Sequence, residues 1–348
     1  GGDRPIITIV LLNVVTAFIF TAMMGAGPVI AIGVIVLPIL MSLGIPKAIA
    51  MFTFMGSVSA GMYLNPVLQF SQLRAFICAS DEMPEFSFSW YTSHWGIYAL
   101  IISVVVVSVL TGIYLKIGKK SHAWAAQAAP KNTQTEAPLI ALILPIVPVV
   151  LKIWLDFSVI GGFVIAGFAA LFLCGKMNKS FKENCQLVNK LYYDGVVDTA
   201  PLVGFLLTLP MFNTCASYAS PYFKEVLGGI MPTNEYVVCA LFAALSILGF
   251  FRGPLTLYGC GAATLGVLSS VGHFSVPFLF CVFTIPATTV NVGSCITQSW
   301  IAWGLAYTKV ESRDYLKLSI PFAYICSILL YILTAFTVTG LGPEWFLS

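Results

Sequence analysis

Charge is what this sequence has least of. Asp, Glu, Lys and Arg make up 9% of its 348 residues, against roughly 25% in a soluble domain. With 59% hydrophobic residues and a mean hydropathy of +0.94, no water-soluble fold has room to hide the apolar surface. Chemistry-bearing motifs are missing too. There is no HExxH, GxSxG or P-loop pattern, so the familiar zinc-peptidase, hydrolase and nucleotide-binding sites are excluded. No basic cluster interleaves with aromatics, which leaves no nucleic acid among the expected partners. The nine cysteines show no CxxC or Cys/His metal spacing. Cys78, Cys174, Cys239, Cys260, Cys281 and Cys326 fall in apolar runs and read as buried free thiols. No secretory n-region or cleavage site is present. The chain opens Gly1-Gly2-Asp3-Arg4 and enters an apolar run at once, and further N-terminal sequence with several spans is expected ahead of it.

What is present is a pattern of paired interruptions. Gly27-Pro28 breaks one apolar run and Gly253-Pro254 breaks another, 226 residues later. At that offset Ala17, Gly33, Phe52, Phe54, Asn65 and Gln72 fall on Ala243, Gly259, Phe278, Phe280, Asn291 and Gln298. In both copies an Asn follows the Gly-Pro after 37 residues. Matched interruptions in the two halves of a membrane protein point to a transporter's binding site.

A membrane helix needs about 20 apolar residues, and on that ruler the chain divides as follows. The first repeat, 1–116, holds a hairpin over 6–43, a broken helix over 46–78 interrupted at Asn65-Pro66, and a span over 94–115. The hairpin is preferred to one helix because 38 residues at 1.5 Å each make about 57 Å, too long for a single crossing. A hydrophilic linker covers 117–137. The second repeat, 138–348, holds two short spans within 138–173, an amphipathic interfacial arm over 176–191 and a span over 196–212. A hairpin over 236–271, a broken helix over 277–307 and a final span over 316–338 complete it.

Counting cations checks this layout. Alternating the crossings puts Arg4, Lys47, Lys116, Lys119, Lys120, Lys131, Lys176, Lys179, Lys182, Lys190, Lys309, Arg313 and Lys317 on one side, out of 17 Lys and Arg in all. The positive-inside rule makes that side, with the linker, cytoplasmic. The two hairpins then open from opposite sides. The predicted fold class is an all-α polytopic membrane protein with two inverted repeats, each a re-entrant hairpin plus a broken transmembrane helix, and with interfacial arm helices.

The candidate substrate-binding residues are Gly27, Pro28, Asn65, Arg252, Gly253, Pro254, Asn291, Ser294 and Thr297. Tips and breaks free backbone groups that are tolerated in a membrane only beside a cavity or inside protein. Glycines allow a ligand to approach the backbone closely. Asn, Ser and Thr add neutral donors and acceptors, though they also bond helix to helix in any bundle. Arg252 carries a charge between apolar runs, where a charge is costly and functional by default, and it suits a carboxylate. Its alternative is to snorkel to the interface. The equivalent position in the first repeat is Ala26. Asp194 and Asp198 fit a proton carrier or, by preference, the first turn of a helix near the cytoplasmic face, where carboxylates suit the helix dipole.

Thr21-Ala22-Met23-Met24-Gly25-Ala26-Gly27-Pro28, Leu37-Pro38-Ile39-Leu40, Leu43-Gly44-Ile45-Pro46 and Leu64-Asn65-Pro66, with Arg252-Gly253-Pro254 through Asn291-Val292-Gly293-Ser294, carry a resemblance. In architecture and loose motif, over most of its length, the chain resembles the ion transporter superfamily and is similar to its citrate, dicarboxylate and gluconate permease branches. The resemblance implies a homodimeric secondary carrier with an elevator-like motion of the hairpin and broken-helix unit. It implies a small anionic substrate, a coupling Na⁺ or H⁺ and no other cofactor. Sodium-coupled dicarboxylate members carry Ser-Asn-Thr motifs where these tips read Gly-Ala-Gly-Pro and Arg-Gly-Pro. The functional expectation is a cation-coupled symporter for a carboxylate, not an enzyme, in the inner or plasma membrane. Its rivals are an antiporter or efflux carrier on the same fold and, further off, a membrane-embedded enzyme.

Overall fold

A computed structural model describes residues 5–77, 86–117, 138–155, 157–178, 180–197, 211, 214, 215, 218, 222, 225 and 232–341. Among these, every regular element is helical. Among the described residues, two helices are long and apolar enough to cross a membrane: Phe88–Lys116, with a hydropathy of 2.4, and Ser312–Thr337, with 2.0. A third qualifies if the bent pair Glu235–Ala244 and Ser246–Arg252 is one span. Large apolar side chains also line exposed helix faces. Ile7, Leu11, Val14 and Phe18 form one exposed stripe, and Ile97, Ile101, Val105 and Val109 form another. Residues at this spacing share a helix face, and exposed stripes of that length suit hydrocarbon as the solvent. The chain is a membrane protein.

The described helices are α1 (Pro5–Ala22), α2 (Ala26–Ser42), α3 (Lys47–Met62), α4 (Gln72–Ile77), α5 (Phe88–Lys116), α6 (Val147–Leu155), α7 (Val159–Leu173), α8 (residues 181–197), α9 (Glu235–Ala244), α10 (Gly261–Val271), α11 (Val276–Ile285), α12 (Ser299–Thr308) and α13 (Ser312–Thr337). Compactness divides the chain into one unit of Gly1–Ala125 with Leu209–Ser348 and a second of Ala126–Thr208. These limits do not follow the division into sequence repeats.

The first unit is built around α3, which is buried from Ile49 to Met62. Small residues let its neighbours close in. A side chain on Gly61 would fall on the Ala17 carbonyl, and one on Gly56 would fall on Val107. Polar side chains then bond across the gaps, as is common where lipid offers no partner. Thr53 shares a hydrogen bond with Thr111 at 2.8 Å, and Asn13 donates to Ser108 at 3.0 Å.

The sequence placed the first tip at Gly27-Pro28, but the structure puts the break two to four residues earlier. The chain leaves α1 after Ala22 and starts α2 at Ala26, with Gly25 between them at φ 92°. Gly27 and Pro28 lie in the first turn of α2, where a missing N–H costs nothing because that turn has no intrahelical acceptor for it. Ala17 lies against Gly61 and Asn65 reaches the carbonyls of Phe20 and Met23, so α1 runs alongside α3. Gly33 of α2 lies against Phe54, and α2 is joined to the start of α3 through residues 43–46. The chain therefore turns back at Met23–Gly25. The two legs do not pack along one another, and each leans on α3 instead.

The second hairpin also departs from two straight legs. Its first leg ends at Ala244 and continues, bent by 64°, into the segment Ser246–Arg252, whose 3₁₀ turns give way to non-helical backbone at Phe250 and Phe251. Ser246 Oγ donates to both Phe242 O and Ala243 O, a back-bond that competes with the helix ladder. Among the cysteines read as buried, Cys239, Cys281 and Cys326 are buried, Cys174 is half-buried and Cys260 is exposed.

In the second unit, the first short span starts as a 3₁₀ segment, Leu139–Ile146, before α6. Pro145 and Pro148 lack the N–H groups that a regular α-helix needs there. A Cβ on Gly162 would lie 3.1 Å from Pro148 Cα, tighter than ordinary contact, so the glycine lets α7 pack close to α6. The arm begins later than the sequence suggested and runs on to residue 197, past Asp194. Gly175, at φ 65°, ends the preceding turn, and Ser180 bonds the N–H of Glu183. The span expected over 196–212, the linker from 118 and Cys78 at the end of the first broken helix lie largely outside the described residues.

Candidate functional site at the crossing of two helix breaks

Each broken helix contains a π segment, Pro66–Ser71 in the first and Pro286–Val292 in the second. Both start at a proline, which cannot donate into the α ladder, and π turns inside helices are frequent at functional sites. The two breaks meet. Tyr63 Oη and Thr289 Oγ1 are 2.5 Å apart, and Gln69 donates to Thr288. All four side chains are fully buried. Tyr63 is held further by Tyr91, whose hydroxyl donates to the Tyr63 carbonyl at 2.8 Å.

The two Asn residues that the sequence paired behave differently. Asn65 Nδ2 donates to Met23 O at 3.0 Å and Phe20 O at 3.4 Å. Its Oδ1 accepts from Val67 N at 3.1 Å. The amide thus caps the end of α1 and fixes its own turn before Pro66. That satisfies carbonyls a helix end leaves without partners. Asn291 is equally buried, yet neither its Oδ1 nor its Nδ2 has a hydrogen-bond partner. Gln69 Oε1 and Thr284 Oγ1, also fully buried, share that condition. Buried polar atoms are almost always paired, so each exception calls for a reason.

Arg252 stands on the second tip. Phe251 and Arg252 both have left-handed backbones, at φ 54° and φ 58°, an expensive conformation for two successive residues with side chains. The loop is laced shut around them. Cys260 N donates to Arg252 O at 3.1 Å, and Arg252 Nη1 donates to Tyr258 O at 3.0 Å. Gly253 and Gly259 are required for space, because a side chain on either would fall on the Leu248 or Arg252 carbonyl. The Phe251 N–H points to Cys295 Sγ at 3.2 Å, so the tip is tied to the second break. Cys295 Sγ also lies 3.0 Å from the Thr297 hydroxyl.

Of the nine residues expected from sequence, the structure joins Asn65, Arg252, Gly253, Asn291, Ser294 and Thr297 to this network or places them within its segments. Ser294 is buried and donates to Thr289 O at 2.9 Å. Thr297 is exposed. Pro254 is exposed and its carbonyl accepts from Thr264 at 2.5 Å. Gly27 is exposed with open space around it, and Pro28 is half-buried; neither reaches the crossing. Tyr63 and Gln69 were missed. One signal pointed to Tyr63, since it stands 226 residues before Thr289, the same offset as the two Asn.

Among the described residues, the side chains that meet at the crossing are hydroxyls and amides, with the charged Arg252 on the adjoining tip. Among the described residues no three His, Cys, Asp or Glu side chains gather as a metal site. Such an arrangement can hold a small polar molecule by hydrogen bonds and a cation. No protein-family model, curated protein or solved structure matches the chain.

Proposed function

We propose that the chain is a secondary active transporter for a small organic anion, a carboxylate, coupled to Na⁺ or H⁺ by symport and moving by an elevator mechanism. The observation that carries this reading is the buried Asn291 amide left without partners at the point where two broken helices meet. An unpaired buried amide costs about 1–3 kcal/mol, and a ligand that enters the crossing removes that cost. Arg252 supplies the charge for the carboxylate. Because the Tyr258 carbonyl holds its guanidinium and Cys295 holds its backbone neighbour, a ligand bound to Arg252 is felt at the second break.

The proposed arrangement is one of inverted repeats. Two-fold related positions touch only near the axis that relates them, and Tyr63 with Thr289 is a touching pair at the repeat offset. Half-helices broken at matched places around such an axis are the usual transporter site. The proposed family is the ion transporter superfamily. The proposed setting is the inner or plasma membrane as a homodimer, with residues 117–137 in the cytoplasm.

The test is uptake of labelled carboxylates into proteoliposomes carrying the full-length protein, under an imposed Na⁺ or H⁺ gradient. Native protein takes up at least one carboxylate under one gradient. Asn291→Leu and Arg252→Ala each lower that uptake about tenfold or more, the scale of one lost charge-assisted or buried contact. Folded protein that moves no anion under either gradient, but exchanges Na⁺ for H⁺, overturns the symport reading in favour of the antiporter.

A further inference from the structure

The second unit contains an apolar hollow that the transport reading does not use. The chain leaves α7 through a tight turn in which Gly175 N donates to Phe172 O at 3.0 Å and Lys176 N to Leu171 O at 2.9 Å. Asn184 Nδ2 reaches back to Met177 O at 3.0 Å. Ser180 and Glu183 cap each other: Ser180 N donates to Glu183 Oε2 at 3.2 Å, and Glu183 N to Ser180 Oγ at 3.4 Å. These bonds fix the elbow turn between α7 and α8. Inside the elbow lies a cavity of about 510 Å³, lined mainly by Phe168, Met177, Phe181, Val188 and Tyr192. Aliphatic and aromatic side chains around a hollow of that size suit an apolar ligand.

Its surroundings are cationic. Lys176 adjoins the lining residue Met177, and Lys182 shares a helix face with the lining residues Cys185 and Asn189, three and seven positions on. Both lysines are exposed. The carboxylate beside them, Glu183, is engaged at the helix N-terminus by Ser180, and Asp194 lies more than two helical turns further along α8. Along α8, Phe181 is 84% exposed and Tyr192 69%, which suits an amphipathic helix lying in a membrane interface. The charge count puts this arm on the cytoplasmic side, where the leaflet carries anionic lipids that attract juxtamembrane lysines.

We propose that the elbow between α7 and α8 is a binding site for an anionic glycerophospholipid, one acyl chain in the hollow and the phosphate between Lys176 and Lys182. The hollow takes the chain whatever the headgroup, and the lysines select the charge. The site's role is independent of which solute the protein carries.

Native mass spectrometry of the full-length protein in detergent, with equal amounts of phosphatidylglycerol and phosphatidylcholine of the same acyl chains, tests it. Phosphatidylglycerol adducts are expected over phosphatidylcholine by about tenfold. The double variant Lys176→Gln with Lys182→Gln, at exposed positions that leave the fold alone, removes the preference but keeps a residual phosphatidylcholine adduct. Val188→Trp fills the hollow and lowers both adducts. Equal retention of the two lipids by native protein overturns the proposal. So does a preference that survives the double lysine change, or adducts that Val188→Trp leaves intact. A lipid-free dimer that Val188→Trp splits assigns the hollow to a second copy and overturns it as well.

Discussion

The two helix breaks carry the same residue at matched positions and put it to opposite uses. At the first break, Asn65 spends its whole amide on structure, because α1 ends beside it and leaves the Phe20 and Met23 carbonyls to be met. At the second break no helix end makes that demand of Asn291. The corresponding helix, α9, stops at Ala244, and its last carbonyls are met locally: Leu245 N donates to Leu241 O, and Tyr324 donates to Ala244 O at 3.3 Å. Asn291 is left buried with nothing to bond. A polar residue in a broken membrane helix is thus a site candidate only after its neighbours' orphaned backbone groups have been counted. By that count the second break is the better place for a ligand.

The largest effect separates the two amides directly. Asn65→Leu takes the side-chain donor from the buried Phe20 carbonyl and from the half-buried Met23 carbonyl just past α1, at up to about 1–3 kcal/mol each. Thermal unfolding in detergent should therefore show a loss of about 2–4 kcal/mol in stability. Asn291→Leu removes an amide that no protein group answers, so stability holds or rises while uptake falls. Equal destabilisation by the two substitutions would erase the contrast, and a stable, fully active Asn291→Leu would move the site elsewhere.

How much of this was legible beforehand follows the same division. Composition and the spacing of apolar runs announced an all-helical membrane protein, because both record burial in lipid, residue by residue. The spans around 94–115 and 316–338 were visible for that reason. Breaks at Asn65-Pro66 and near Pro286 were visible because proline removes a donor wherever it sits. The partner of each amide was not legible, because the Phe20 and Met23 carbonyls lie 45 and 42 residues from Asn65. The bend after Ala244 was missed because Ser246 looks like any serine in an apolar run until its hydroxyl turns back on its own helix. Gly-Pro was read as the tip in both hairpins. In the first, the freedom of Gly25 moves the break ahead of it.

That displacement gives a second comparison, of intermediate size. Gly27 sits in a helical first turn with nothing near a Cβ, whereas a Cβ on Gly253 falls on the Leu248 carbonyl. Gly253→Ala therefore forces the tip apart at about 1–3 kcal/mol and displaces Arg252. Gly27→Ala should gain about 0.5–1 kcal/mol by helix propensity. Denaturant titrations of both variants check the pair. A costly Gly27→Ala would mean that something packs on the first tip after all.

The smallest expected effect is also the finest probe of whether the breaks act as one. Tyr63→Phe removes a single hydroxyl. Thr289 Oγ1 keeps a second neighbour in Cys326 Sγ at 3.7 Å, and the Tyr63 backbone stays tied to Tyr91. The loss is therefore that of one net hydrogen bond, about 0.5–1.5 kcal/mol. On its own this separates little from general packing. Combined with Thr289→Val in a double-mutant cycle, it isolates the bond itself, since contacting residues couple where distant ones add. A coupling of about 1 kcal/mol in the unfolding of ligand-free protein shows that the two breaks are joined before any solute arrives. If they are joined and the proposed transport holds, the same cycle measured on uptake exceeds that value, because a carrier that moved both breaks together would lose alignment as well as stability. Independent, additive effects in both measurements would leave two separate breaks that merely lie close, and the crossing would lose its claim to be one site.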